Sequence, residues 1–183
     1  MAYQLEEINR RLKEDPAGFV AECDGVYKKR LETAADRILE RMKVSPIVLL
    51  SGPSGSGKTT TALKLEQELE RRGVQTHTIS MDNYFKTLNR RTAPRNAEGD
   101  IDYESPKLLD MDLLDETFTK LSRGEWVIVP KFEFARQMRN DSRGTPLKLD
   151  KNEIAIFEGI HALNDDISGR HPEATTLYIS ARS

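Results

Sequence analysis

Eight consecutive residues, Gly52-Pro53-Ser54-Gly55-Ser56-Gly57-Lys58-Thr59, fill the pattern G-x-x-x-x-G-K-[ST], and their chemistry is that of a phosphate cradle. Glycines let successive backbone N–H groups turn inward around phosphate oxygens, and a helix opening at the lysine adds its positive end. The Lys58 ammonium suits the β and γ phosphates of a nucleotide, and the Thr59 hydroxyl suits magnesium. The expected nucleotide contacts are therefore Gly52, Ser54, Gly55, Ser56, Gly57, Lys58, Thr59 and Thr60, with ATP and Mg2+ as the implied ligands.

Moving a phosphoryl group also takes a group to orient the attacking oxygen and further oxygens for the metal, and carboxylates at strand ends usually supply both. Two acids sit where such carboxylates belong. Asp82 follows a run ending at Ser80 and Met81, and so should emerge on the same rim of a sheet as the phosphate loop. Glu158 follows the apolar run 154–157 and precedes Gly159, a position from which it would reach magnesium directly or through water. Asp82 could instead cap a helix or turn, and Glu158 could be an ordinary acid at a strand end.

Further along, Asp102 lies just before a helix start and could hydrogen-bond sugar hydroxyls. Phe132 and Phe134 alternate with charges after Pro130, and either ring could stack on a base or simply fill the core. Lys86, Arg90, Arg91 and Arg95 form a basic stretch that could approach phosphates or lie solvated in a loop. His77, His161 and His171 have no metal-ligand spacing and are read as structural or surface residues. The single Cys23 excludes a disulfide framework.

The elements that must position these groups are legible as periodicity. In 1–45, Phe19, Cys23, Tyr27, Leu31, Ala34, Ile38 and Met42 recur three or four apart, so the spacing predicts an amphipathic helix opening at Asp15 and Pro16 and laid on the body that follows. From Pro46 the pattern alternates: strand 47–50, glycine-rich turn, helix 58–72, strand 76–80 and a long polar loop. A helix is predicted from Ser105-Pro106 through Leu121 to Gly124, then a buried strand at 126–130 and further strands at 154–157 and 175–179, with a short helix near 161–167 between the last two. The fold class is α/β, a mainly parallel sheet flanked by helices, with residues 1–45 as a helical extension and 46–183 as the nucleotide-binding domain.

Thirty acidic and twenty-eight basic residues leave a net charge of −2, so a globally basic nucleic-acid binder is not indicated. No apolar run approaches the length of a membrane span, and residues 1–11 carry no export leader. The expectation is a cytoplasmic protein with a small-molecule partner, without nucleic acid or membrane, and with homo-oligomer formation open. A switch GTPase is set aside: 141–144 offers a D-x-x-G string, but no N-K-x-D sequence occurs.

Five segments taken in order, GPSGSGKTT (52–60), SMDNYFK (80–86), DYESPKLLDMDLL (102–114), VPKFEF (129–134) and IFEGIHAL (156–163), resemble the uridine kinase and phosphoribulokinase family over about 46–179. The resemblance implies a P-loop α/β fold and transfer of the γ-phosphate of ATP to a hydroxyl of a small metabolite, in uridine kinases the 5′-hydroxyl of uridine or cytidine. It implies Asp82 as catalytic base, Thr59, Asp82 and Glu158 around magnesium, and Asp102 on the ribose hydroxyls. The family's Y-D-F aromatic falls at Phe132, its pyrimidine-reading histidine at Gln137 and the tyrosine after the base at Phe85. Those departures open a second reading, a kinase of a pantothenate-like or sugar-phosphate acceptor. The family continues past 175–179 into an arginine-rich lid, of which the sequence holds only Arg182, so the domain is expected to be incomplete at its C-terminus. That absence keeps a third reading, a nucleotide-binding regulatory module without turnover.

Overall fold

In a computed structural model that describes residues 4–180, the first elements are helices α1 (Leu5–Glu14) and α2 (Pro16–Arg41). α2 opens as predicted: the Asp15 carboxylate accepts from the Gly18 N–H at 2.9 Å, and Pro16 fills the first turn, where no donor is needed. Its apolar stripe is only partly covered, with Phe19, Ala35 and Ile38 buried and Cys23, Tyr27, Leu31, Ala34 and Met42 half-buried. α1 buries no side chain and escaped the periodicity argument for that reason.

The core is a parallel sheet of four strands, β1 (Ile47–Ser51), β2 (Gln75–Ser80), β7 (Glu153–Glu158) and β8 (Thr175–Tyr178), in the order β2-β7-β1-β8. Helix α3 (Lys58–Arg71) connects β1 to β2. Between β2 and β7 lie α4 (Met111–Ser122) and four short strands, β3 (Val127–Val129), β4 (Phe132–Glu133), β5 (Met138–Arg139) and β6 (Thr145–Leu147). A single turn of helix, α5 (Asp165–Ser168), precedes β8.

β1 and β7 read as continuous apolar runs because both of their faces are covered. Ile47, Leu49, Ala155 and Phe157 turn toward α4, where Phe157 meets Phe118 edge to face at 4.5 Å. Val48, Leu50, Ile154 and Ile156 turn the other way, against Leu65 and Leu69 of α3 and Ala35 and Ile38 of α2. α2 is thus the second layer on that face, as the sequence predicted.

Two expectations need correction. Pro106–Leu108 is an isolated 3-10 turn, Leu109 is extended and buried, and α4 begins only at Met111, with the Asp110 carboxylate accepting from the Leu113 N–H. A second cap signal five residues after Ser105 overrides the first. The predicted buried strand at 126–130 is β3, which pairs only with β6 in a two-stranded sheet; Trp126 and Ile128 face solvent at 67% and 57% exposure. The run is apolar, but just one of its faces is covered.

Candidate active site

Parallel register brings the chemistry to one rim. Glu158, the last residue of β7, pairs with Leu50 of β1 on one side and Ser80 of β2 on the other. β1 runs directly into the glycine loop, and β2 into a 3-10 turn, Met81–Tyr84, in which the Ser80 hydroxyl accepts from the Asp82 N–H at 3.4 Å. The result is a cavity of about 400 Å³ whose walls include Lys58, Thr59, Asp82 and Glu158. Residues 57 apart in sequence are joined at its edge by Glu104: His161 donates through Nε2 to the Glu104 carbonyl at 2.6 Å, tying the loop before α4 to the segment after β7.

The glycine loop has the shape a phosphate cradle needs. Gly55 and Gly57 take φ of +72° and +88°, and a Cβ at either would meet nothing within 4 Å, so their cost is conformational rather than steric. Lys58 Nζ donates to the Pro53 carbonyl at 2.9 Å, across the loop. The Ser56 hydroxyl is buried without a hydrogen-bond partner.

Electrostatically the site is a strained carboxylate pair. Burial pushes the Asp82 carboxyl above its ordinary pKa, against the pull of Lys58 and of His161. Burial likewise raises Glu158, the Asp82 charge raises it further, and hydrogen bonds with Ser80 and Thr59 and the charge of Lys58 oppose the rise. Two carboxyls whose ionised forms are disfavoured, beside a threonine hydroxyl, form an all-oxygen set of the kind hard divalent cations take. Among the described residues no group of three or more His, Cys, Asp or Glu side chains could hold a metal ion.

Of the predicted site residues, Ser54, Gly55, Gly57, Lys58, Thr59, Thr60, Asp82, Phe134 and Glu158 share this cavity. Gly52 and Ser56 do not line it, and a Cβ on Gly52 would fall 2.8 Å from Ser56 Oγ. Asp102 does not line the cavity. Its carboxylate accepts from the Glu104 N–H at 3.1 Å, closing its own turn, and the two residues that line the wall there are Tyr103 and Glu104. Phe132 is 4% exposed and packs edge to face on Phe85 and Phe134, whereas Phe134 is 56% exposed, so Phe134 is the ring free to meet a ligand. Gln137, with φ of +52°, donates its side-chain amide to the Phe134 carbonyl at 2.9 Å and is partly spent on its own hairpin. It lines a smaller recess of about 110 Å³ with Phe85, Tyr103, Phe132 and Phe134, adjoining the main cavity.

Sequence reasoning gave no role to Tyr103 and Glu104, which line the cavity, and read His161, which bonds the Glu104 carbonyl, as structural or surface. The basic stretch does not reach the phosphate loop: Arg90, Arg91 and Arg95 are exposed, and Arg95 bonds the Gly99 carbonyl. Arg182 lies outside the described residues. No described helix is long and apolar enough to cross a membrane.

The sequence pattern of the phosphoribulokinase/uridine kinase family matches residues 47–171. A uridine kinase of Schizosaccharomyces pombe is 35% identical over 117 residues, covering 64% of this chain and 25% of that protein. A uridine kinase of Staphylococcus aureus is 32% identical over 126 residues, covering 69% of this chain and 58% of its own. The chain therefore spans between a quarter and three-fifths of the length of these relatives. Its fold is similar to that of a candidate fructose transport system kinase of Silicibacter, with a TM-score of 0.65 and 23% identity over 81% of this chain and 73% of that one.

Proposed function

Because the chain belongs to the phosphoribulokinase/uridine kinase family, we propose that it transfers the γ-phosphate of ATP to a hydroxyl of a small metabolite, with the 5′-hydroxyl of a nucleoside as the first candidate. One observation carries the reading: Lys58, Thr59, Asp82 and Glu158 converge on a single cavity at the carboxyl end of the sheet.

In this mechanism the N–H groups from Gly55 to Thr60 hold the phosphates, and Lys58 exchanges its bond to the Pro53 carbonyl for the β and γ oxygens. Asp82 orients the acceptor hydroxyl and takes its proton as the oxygen attacks in line. Burial raises the Asp82 carboxyl above its ordinary value, and a more basic carboxylate is a better proton acceptor. Thr59, Asp82 and Glu158 would hold Mg2+, which when bound neutralises charge on the transferring phosphates. Glu104 and Tyr103, at the wall where Asp102 was expected, are the groups to meet the acceptor's hydroxyls, and Phe134 offers the ring for stacking.

A second reading, a hydroxyl acceptor without a pyrimidine, is favoured by the burial of Phe132 and by the bond that occupies the Gln137 amide. Mass spectrometry of the products from Mg-ATP and a pool of nucleosides, pantothenate and pentose phosphates tests both readings, with Lys58→Ala as the blank. A phosphorylated nucleoside absent from the blank is the expected result. Phosphorylation of another acceptor alone would select the second reading, and a product formed equally by Lys58→Ala would sink both.

A further inference from the structure

We propose that α2 completes the nucleotide site: the nucleoside end of ATP lies in a second chamber, against Tyr27, Arg30 and Ala34. The inference rests on the phosphate-loop reading above and deepens it. The chamber measures about 520 Å³, within the range of small-molecule sites, and is bounded by α2, α3 and the carboxyl end of β8. Gly57 and Thr60 belong to its wall and equally to the wall of the cavity that holds Asp82 and Glu158. The phosphate loop therefore stands between two chambers. A triphosphate gripped by the loop, with its transferable end toward Asp82, leaves the loop on the other side, and that side opens into this chamber.

The walls suit a base and a sugar. Leu31 and Ala34 supply apolar surface, Tyr27 and Tyr178 supply rings from opposite sides, and Arg30 and Lys64 supply the polar contacts. Tyr27 is held in place: its hydroxyl shares a 2.7 Å hydrogen bond with Thr61 Oγ1, and Lys64 Nζ lies 4.6 Å from its ring centroid. α2 itself is docked by the ion pair of Asp36 with Arg72 and by Arg41 donating to the Glu173 carbonyl at 2.9 Å. Its residues lie outside the span 47–171 that the family pattern matches.

The test is calorimetric binding of ATP and of inorganic tripolyphosphate, each with Mg2+, to the wild type, Arg30→Ala and Ala34→Phe. Tripolyphosphate reports on the loop alone; the ratio of the two affinities reports on the chamber, and taking it within each variant cancels partial loss of folded protein. The ratio should turn against ATP by about tenfold in Ala34→Phe, where a ring fills the chamber, and by about threefold in Arg30→Ala. A ratio equal to the wild-type value in both variants would overturn the assignment of α2. Tripolyphosphate binding no tighter in the wild type than in Lys58→Ala would instead overturn the phosphate-loop reading, and this inference with it.

Discussion

Gly52 and Gly57 serve the loop for different physical reasons, and alanine at each should fail in a distinguishable way. A Cβ on Gly52 would fall 2.5 Å from the Ile179 carbonyl oxygen and 2.8 Å from Ser56 Oγ, where ordinary contact begins at 3.4 Å. Ile179 cannot easily yield, because its N–H donates to the Ser51 carbonyl at 2.8 Å and closes β8 onto β1. Overpacking of this kind costs about 1–3 kcal/mol. In a chain of this size each kcal/mol lowers the melting temperature by roughly 2–4 °C, so Gly52→Ala should melt about 6 °C below the wild type. A Cβ on Gly57 meets nothing within 4 Å, but φ of +88° places an L-residue in the left-handed region, at about 1–2 kcal/mol. Gly57→Ala should therefore melt about 4 °C low. Asparagine separates the causes: it tolerates the left-handed region, so Gly57→Asn should recover part of the loss, while Gly52→Asn, with more bulk at a crowded site, should lose more. Scanning calorimetry reads all four variants. Gly57→Asn melting with Gly57→Ala, or Gly52→Ala melting within about 1 °C of the wild type, would refute the reasoning.

Asp82→Asn should lower turnover by about 10²–10⁴ and leave ATP affinity within about twofold, and its melting temperature should not fall, because burial already disfavours the carboxylate it removes. Product formation within tenfold of the wild type would take the role of base from Asp82. The Glu68 carboxyl is held at about 2 by its hydrogen bond with Arg71, against burial and with help from Arg72. Its folded pKa lies below its unfolded one, so its contribution is present above roughly pH 4.3 and is lost as pH falls toward about 2. Glu68→Gln should flatten the fall of melting temperature in that window, and an unchanged slope would contradict the ion pairs as drawn.

What was legible in the sequence is what short-range patterns control. The glycine loop is contiguous, and the runs 47–50 of β1 and 154–157 of β7 are apolar because both faces are covered, so the loop and the strand-end position of Glu158 could be read directly, while Asp82 was placed by the end of β2. The α4 boundary was misplaced because two cap signals compete within five residues, and the burial of Leu109 decides between them. The sequence points to Asp102, one of several neighbouring acids, whereas Glu104 lines the cavity wall. The choice turns on the bond between Asp102 and the Glu104 N–H and on the hold of His161 on the Glu104 carbonyl, and no local pattern could reveal a contact made across 57 residues.

The same contrast bears on which half of the site the family relationship determines. The phosphate-loop side is built from the ends of β1, β7 and α3, regular elements whose register fixes Lys58, Thr59 and Glu158. The opposite wall is built from irregular chain: Tyr103 and Glu104 lie before α4, and Phe134 sits at the tip of the β4–β5 hairpin. A few bonds hold that wall, from His161 to the Glu104 carbonyl, from the Phe132 N–H to the Asn83 side chain at 3.3 Å and from the Leu88 N–H to the Gln137 carbonyl at 2.9 Å. Each bond fixes a backbone segment and leaves the neighbouring side chains free to differ without disturbing the sheet. On the proposed function, phosphate-donor chemistry would be tied to the fold and the acceptor would be chosen by Tyr103, Glu104 and Phe134, so substitutions at these three positions should change the acceptor before they change the handling of ATP.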